Sequence, residues 1–102
     1  MKILSLDYGS KTIGVAVYDK TVDFVYPLET IWRKKNNAIR ESLRHIDVII
    51  EKENIKKIVV GLPITMKDTE GERARISRAF GEKLSLRSSD NHIAVYSTDK
   101  IL

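Results

Sequence analysis

Cysteine is absent from the 102 residues, which excludes a disulfide framework, a thiolate nucleophile and a cysteine-ligated zinc site. Long apolar runs are missing too. No stretch approaches the roughly 20 residues needed to span a bilayer. The N-terminal MKILSLDYGS reaches an aspartate after only a few apolar residues, a pattern unlike a signal peptide. Together these absences point to a cytoplasmic protein. There are two histidines, His45 and His92, and they are too isolated to suggest a metal pair or a catalytic triad. Proline is equally scarce, with two residues, and tryptophan occurs once.

What is present fits one folded domain over residues 1–102. Hydrophobic residues make up 42% and charged residues 31%, the mix of a globular protein rather than a disordered one. Eighteen basic residues against fourteen acidic ones leave a net charge of +4, which permits nucleic-acid binding without requiring it. Arg33, Lys34 and Lys35 are consecutive, with Arg40 and Arg44 following at helical spacing. Arg73, Arg75, Arg78, Lys83 and Arg87 form a second group. Charge runs are commonly solvated faces. If some of these cations contact phosphate, Lys11, Arg33, Lys34, Lys35 and Arg73 are the candidates.

The stretch Ile3 to Asp19, ILSLDYGSKTIGVAVYD, reads as two strands, Lys2–Asp7 and Ile13–Tyr18. The connection is short enough to demand an antiparallel hairpin. Thr21–Trp32 gives a third strand. Pro27 cannot donate to a ladder, so this strand belongs at a sheet edge or carries a bulge. Between Ala38 and Lys52 apolar residues recur mostly every three or four positions, predicting a helix. Ile58-Val59-Val60, closed by Gly61-Leu62-Pro63, predicts a short strand buried on both faces. Glu72–Arg87 predicts a second helix and His92–Tyr96 a fifth strand. The order β-β-β-α-β-α-β predicts an α/β fold: a mixed five-stranded sheet, its first three strands antiparallel, with helices on its faces. That is the outline of the ribonuclease H-like fold.

Asp7 is the residue that this pattern makes conspicuous. Aspartate resists burial and competes for backbone hydrogen bonds, so it is depleted in strands. At the tip of a buried strand it either opens the turn or serves a metal or phosphate site. On the expected topology the Gly61-Leu62-Pro63 turn and Thr98-Asp99 end at the same sheet edge, where ligands of α/β sheets bind. Asp68 and Glu70 follow the fourth strand on that edge, although Thr69 and Glu72 also fit a capping box. Asp19 and Asp23 lie about five residues back along the hairpin, roughly 17 Å from Asp7 at ~3.3 Å per residue. Trp32 and Tyr26 could stack on bases, with packing along the edge strand as the plainer role.

The segments LDYGSKTIGVAVYD and IVVGLPITMKDTEGERA, with the helix that follows, closely resemble the YqgF family. Its members look like LDYGTKRIGVAVSD near the start and VVGLPxxMDGTEGxRA in the middle. The resemblance covers about Lys2 to Leu84 and implies a ribonuclease H-like fold. It also implies a nuclease for the 5′ end of the small-subunit ribosomal RNA precursor, a family earlier described as Holliday-junction resolvases. The implied active site is a cluster of acids binding Mg²⁺ or Mn²⁺, with nucleic acid as the partner. Asp7 matches the first acid. The second lies in an Asp-Glu-Arg motif, where this chain reads Thr98-Asp99-Lys100, so Asp99 stands for its glutamate. The family's final helix, with its last acid, has no counterpart here. A nucleic-acid or partner-binding module without hydrolysis is therefore a competing expectation. The Asp-x-Gly-Ser-x-x-x-Gly pattern also resembles the phosphate hairpin of sugar kinases and actin-like ATPases, which need a second domain to close over ATP.

Overall fold

The computed structural model describes residues 1–9, 11–33, 39–61, 72–88 and 94–97. Five strands and two helices run β1 (Lys2–Tyr8), β2 (Thr12–Asp19), β3 (Phe24–Trp32), α1 (Ile39–Glu53), β4 (Ile55–Gly61), α2 (Glu72–Ser88) and β5 (Ala94–Ser97). They form one sheet in the order β3-β2-β1-β4-β5. The predicted hairpin is present, with Asp7 opposite Gly14 and Lys2 opposite Asp19. The Gly9 amide closes its turn by donating to the Thr12 carbonyl at 2.7 Å. β1 is parallel to β4, and β4 to β5.

Pro27 behaves as its chemistry demands on both counts. β3 is an edge strand, and its ladder with β2 shifts register between Val15 and Ala16, opposite Leu28. The extra residue is Leu28, so the bulge directly follows the proline that cannot donate.

Alternation decides what is buried. Leu4 and Leu6 of β1, Ile13, Val15 and Val17 of β2, and Ile58 and Val60 of β4 all face one side. Leu43, Ile46 and Ile49 of α1 and Phe80 and Leu84 of α2 complete that core. Each such side chain contributes about 1.5–3 kcal/mol on leaving water. Asn54, directly after α1, takes a left-handed φ of 55°, a conformation asparagine tolerates at helix ends. Arg87 of α2 donates through Nε and Nη2 to Asp47 Oδ2 of α1, at 2.8 and 2.7 Å, tying the two helices together.

One expectation needs correction, and the placement of the helices explains it. Both described helices lie on the same face of the sheet. The crossovers from β3 to β4 and from β4 to β5 advance in the same direction, so a shared right-handedness puts both helices on one side. As a result β4 is not buried on both faces. Ile55, Ile58 and Val60 are buried, whereas Val59, on the other side, is only half-buried. No described element packs on that second face, and Asp7 lies on it.

Candidate active-site edge and its relatives

Asp7 is the penultimate residue of β1 and points away from the core, since its neighbours Leu6 and Tyr8 face the helices. Its position in the ladder is specific. Its cross-strand partner on β2 is Gly14 and on β4 is Gly61, so neither adjacent strand places a side chain beside the carboxylate. Ser5, two residues back on the same face, is small as well. Asp7 is exposed, and among the described residues its carboxylate has no hydrogen-bond or ion-pair partner. A Cβ built on Gly14 would lie 3.6 Å from the Asp7 Cβ. The absent side chain is therefore the space in which a ligand of Asp7 would sit. None of the described glycines has positive φ; Gly14 serves space rather than backbone conformation.

An open groove of about 480 Å³ leads away from Asp7 across β2. Gly14 and Ala16 line its floor, and Pro27 and Thr30 of β3 its far wall. A carboxylate in a glycine-walled slot with an open approach suits a hard cation such as Mg²⁺, which favours oxygen ligands and keeps several waters. The donor set is incomplete: among the described residues no cluster of three or more His, Cys, Asp or Glu side chains could hold a metal. Asp99 lies outside the described residues, two positions after Ser97, whose ladder partner Val60 precedes Gly61. Thr98, Asp68, Glu70, Lys34, Lys35 and His92 also lie outside the described residues, as does the side chain of Arg73 at the start of α2.

The hairpin tip bearing Asp7 is braced from two sides. Tyr8 stacks on Phe80 of α2, with ring centroids 4.2 Å apart and planes 23° from parallel. The Arg33 guanidinium also lies over the Tyr8 ring, 4.2 Å from its centroid, a geometry that draws the cation to the ring's negative face. Arg33 Nη2 also donates to the Gly9 carbonyl, and the Arg33 amide donates to the Lys11 carbonyl at 2.9 Å. Its Nη1 is buried and, among the described residues, has no hydrogen-bond partner. Arg33, a candidate phosphate contact from sequence, is thus already occupied in holding the turn. Lys11, in that turn, is exposed.

Other polar residues form surface or edge contacts away from this site. His45 Nε2 meets Glu29 Oε1 at 2.7 Å, consistent with a surface role. Asp19 and Asp23 sit at the far end of the hairpin. Asp19 Oδ1 accepts from the Thr21 amide, and Asp23 Oδ1 from the Tyr18 hydroxyl. Tyr26 packs along the edge as expected, stacked near Phe24 and donating to Glu53 Oε1 at 3.3 Å. Trp32 does not: it is 70% exposed.

A model of the RuvX family, described as Holliday junction resolvase, matches residues 1–100. A protein of Lachnospira eligens named "Putative pre-16S rRNA nuclease" is 38% identical over the whole of this chain and 77% of its own length. A protein of the same name from Agathobacter rectalis is 41% identical over 86% of this chain and 62% of that protein. The chain therefore spans between about three fifths and three quarters of these relatives' length. Among solved structures, Thermus thermophilus RuvC in complex with a Holliday junction substrate superposes with a TM-score of 0.62 at 14% identity. The match covers 95% of this chain and 63% of that one. At that identity the likeness establishes the fold, that of the ribonuclease H-like resolvases.

Proposed function

Because the chain belongs to the RuvX family, the YqgF family of the sequence resemblance, we propose that it is a metal-dependent nuclease. It hydrolyses phosphodiester bonds in structured RNA, and its substrate is the 5′ end of the small-subunit ribosomal RNA precursor, as the relatives' names suggest. The observation that carries this reading is the Asp7 slot: an exposed, unpaired carboxylate between Gly14 and Gly61 at the carboxyl edge of parallel strands. Asp7 would hold Mg²⁺ or Mn²⁺, with Asp99 as the second acid. Such an ion supplies Lewis acidity and an activated water for attack on phosphorus. Asp7 positions it, and the braced turn of Gly9 to Lys11 keeps Asp7 in place.

The test is cleavage of a precursor ribosomal RNA fragment with Mg²⁺ or Mn²⁺, comparing the native protein with Asp7→Asn. Asp7→Asn is isosteric at an exposed position, so the fold is expected to survive. Loss of even an outer-shell partner of a metal ligand costs about 10–100-fold, so a direct ligand is expected to cost at least about 100-fold. Equal cleavage by the two proteins removes Asp7 from the chemistry. The family's description and the RuvC likeness favour one alternative, resolution of branched DNA. Cleavage of a four-way junction but not of the RNA would select it. Salt-sensitive RNA binding with no metal-dependent cleavage would identify a binding module instead.

A further inference from the structure

Trp32 is the single tryptophan of the chain and its side chain is 70% exposed. It closes β3 at the same edge as Asp7, because β3 runs antiparallel to β2 and Trp32 pairs with Thr12. Thr12 is two residues before Gly14, the partner of Asp7, so Trp32 shares the open face with Asp7, two strands across. At ~4.8 Å between strands and ~3.3 Å per residue, the two backbones stand roughly 12 Å apart. On β3 the groove from Asp7 is lined by Pro27 to Thr30, and Thr30, its lining residue nearest to Trp32, lies two residues before it on the same face. Lys11 flanks this end, since its carbonyl bonds the Arg33 amide that follows Trp32.

We propose that Trp32 is a base-stacking anchor for an unpaired segment of nucleic acid that leaves the Asp7 slot through this groove. The inference rests on the nuclease reading and deepens it by naming the form of substrate that the face accepts. An exposed indole on a rigid strand offers a flat π surface to any base. Duplex bases are stacked on one another and cannot use it; splayed-out single strands can, as on other sheet surfaces that stack bases. The floor suits a strand lying close, because Ser5, Gly14 and Ala16 project little. A cation is close by as well: exposed Lys11 lies on the neighbouring turn, its carbonyl bonded to the amide of the residue after Trp32.

Having one tryptophan makes the test direct. With divalent ions chelated so that nothing is cut, the protein is titrated with an unpaired RNA of about 10 nucleotides. The same-sequence DNA and the RNA duplex are titrated in parallel. Indole emission and the anisotropy of a labelled strand are both followed. Single strands are expected to quench the emission and the duplex not to. Base–aromatic stacking of about 1–3 kcal/mol corresponds to an affinity loss of about 5- to 150-fold in Trp32→Ala, with Trp32→Phe retaining most of the binding. The RNA and DNA arms show whether the anchor reads the sugar.

Binding by anisotropy with unchanged emission and unchanged affinity in Trp32→Ala overturns the anchor and leaves the nuclease reading intact. Quenching by the duplex equal to that by single strands overturns the unpaired segment. No binding of any nucleic acid overturns both. A free-protein emission that is already blue-shifted and varies with protein concentration gives the face to a second copy of the chain.

Discussion

The informative detail at the level of single residues is which side chains are missing beside Asp7. An aspartate ending an apolar run is visible in the sequence, but its two glycine neighbours, Gly14 and Gly61, become neighbours only through strand register. Gly14 has extended backbone that any residue could adopt, and an added Cβ there makes an ordinary 3.6 Å contact with Asp7. Gly14→Val is therefore expected to fold well, since β-branched residues suit strands, while filling the space in front of the carboxylate. The prediction is a thermal midpoint equal to or above that of the native protein, with metal-dependent cleavage and Mn²⁺ binding both reduced at least about tenfold. An equal loss of midpoint and activity would instead make Gly14 a purely structural glycine.

Among the elements, the turn between β1 and β2 is held by pieces from elsewhere in the chain. Phe80 of α2 supports one side of Tyr8 and Arg33 the other. Removing the guanidinium in Arg33→Ala deletes a cation–π contact of about 0.5–2 kcal/mol and a hydrogen bond worth about 0.5–1.5 kcal/mol net. Relief of the buried, unpartnered Nη1 offsets part of this, so a net cost of about 1–2 kcal/mol is expected. Denaturant melts test the total, and amide exchange at Gly9 and Lys11 tests its location: protection should fall there first. Unchanged exchange at the turn would mean that the hairpin holds itself.

Much of this architecture was legible in the chain. Alternation in ILSLDYGSKTIGVAVYD reveals the hairpin, and three- and four-residue spacing reveals α1, within one residue at each end. β4 begins three residues earlier than its apolar run, because a register shift against β1 skips exposed Lys56 and leaves buried Ile55 out of step with Ile58 and Val60. Helical periodicity identifies a buried stripe but not the sheet face that receives it, so the bare second face could not be read from either helix alone. The bonds joining distant elements, Glu29 to His45 and Tyr26 to Glu53, leave no local signature. The same holds for the exposure of Trp32, whose residue type suits an edge strand packed or bare.

Across the whole molecule, the two ends of the hairpin are chemically distinct, and the end opposite Asp7 holds two side-chain bonds that depend on a proton. Lys2 Nζ donates to Glu53 Oε1 at 3.1 Å, joining the start of β1 to the end of α1. That hydrogen bond raises the Lys2 pKa above its ordinary 10.5, with burial opposing and the Glu53 charge adding to it. The Tyr18 hydroxyl donates to Asp23 Oδ1 at 2.7 Å, and this bond raises its pKa above 10.0. In both cases the fold favours the protonated form. Each contribution is therefore complete below the unfolded-state pKa and disappears as pH climbs through the folded-state value. Stability is expected to be insensitive to these groups near neutrality and to decline above about pH 10. Urea midpoints between about pH 8 and pH 11 measure it: the native protein should lose stability faster than a Lys2→Met, Tyr18→Phe double variant. Parallel curves for the two proteins would show that neither bond governs the decline. Asp7 lies at the other end of β1 from Lys2, so Mn²⁺ binding by the double variant at neutral pH should match that of the native chain.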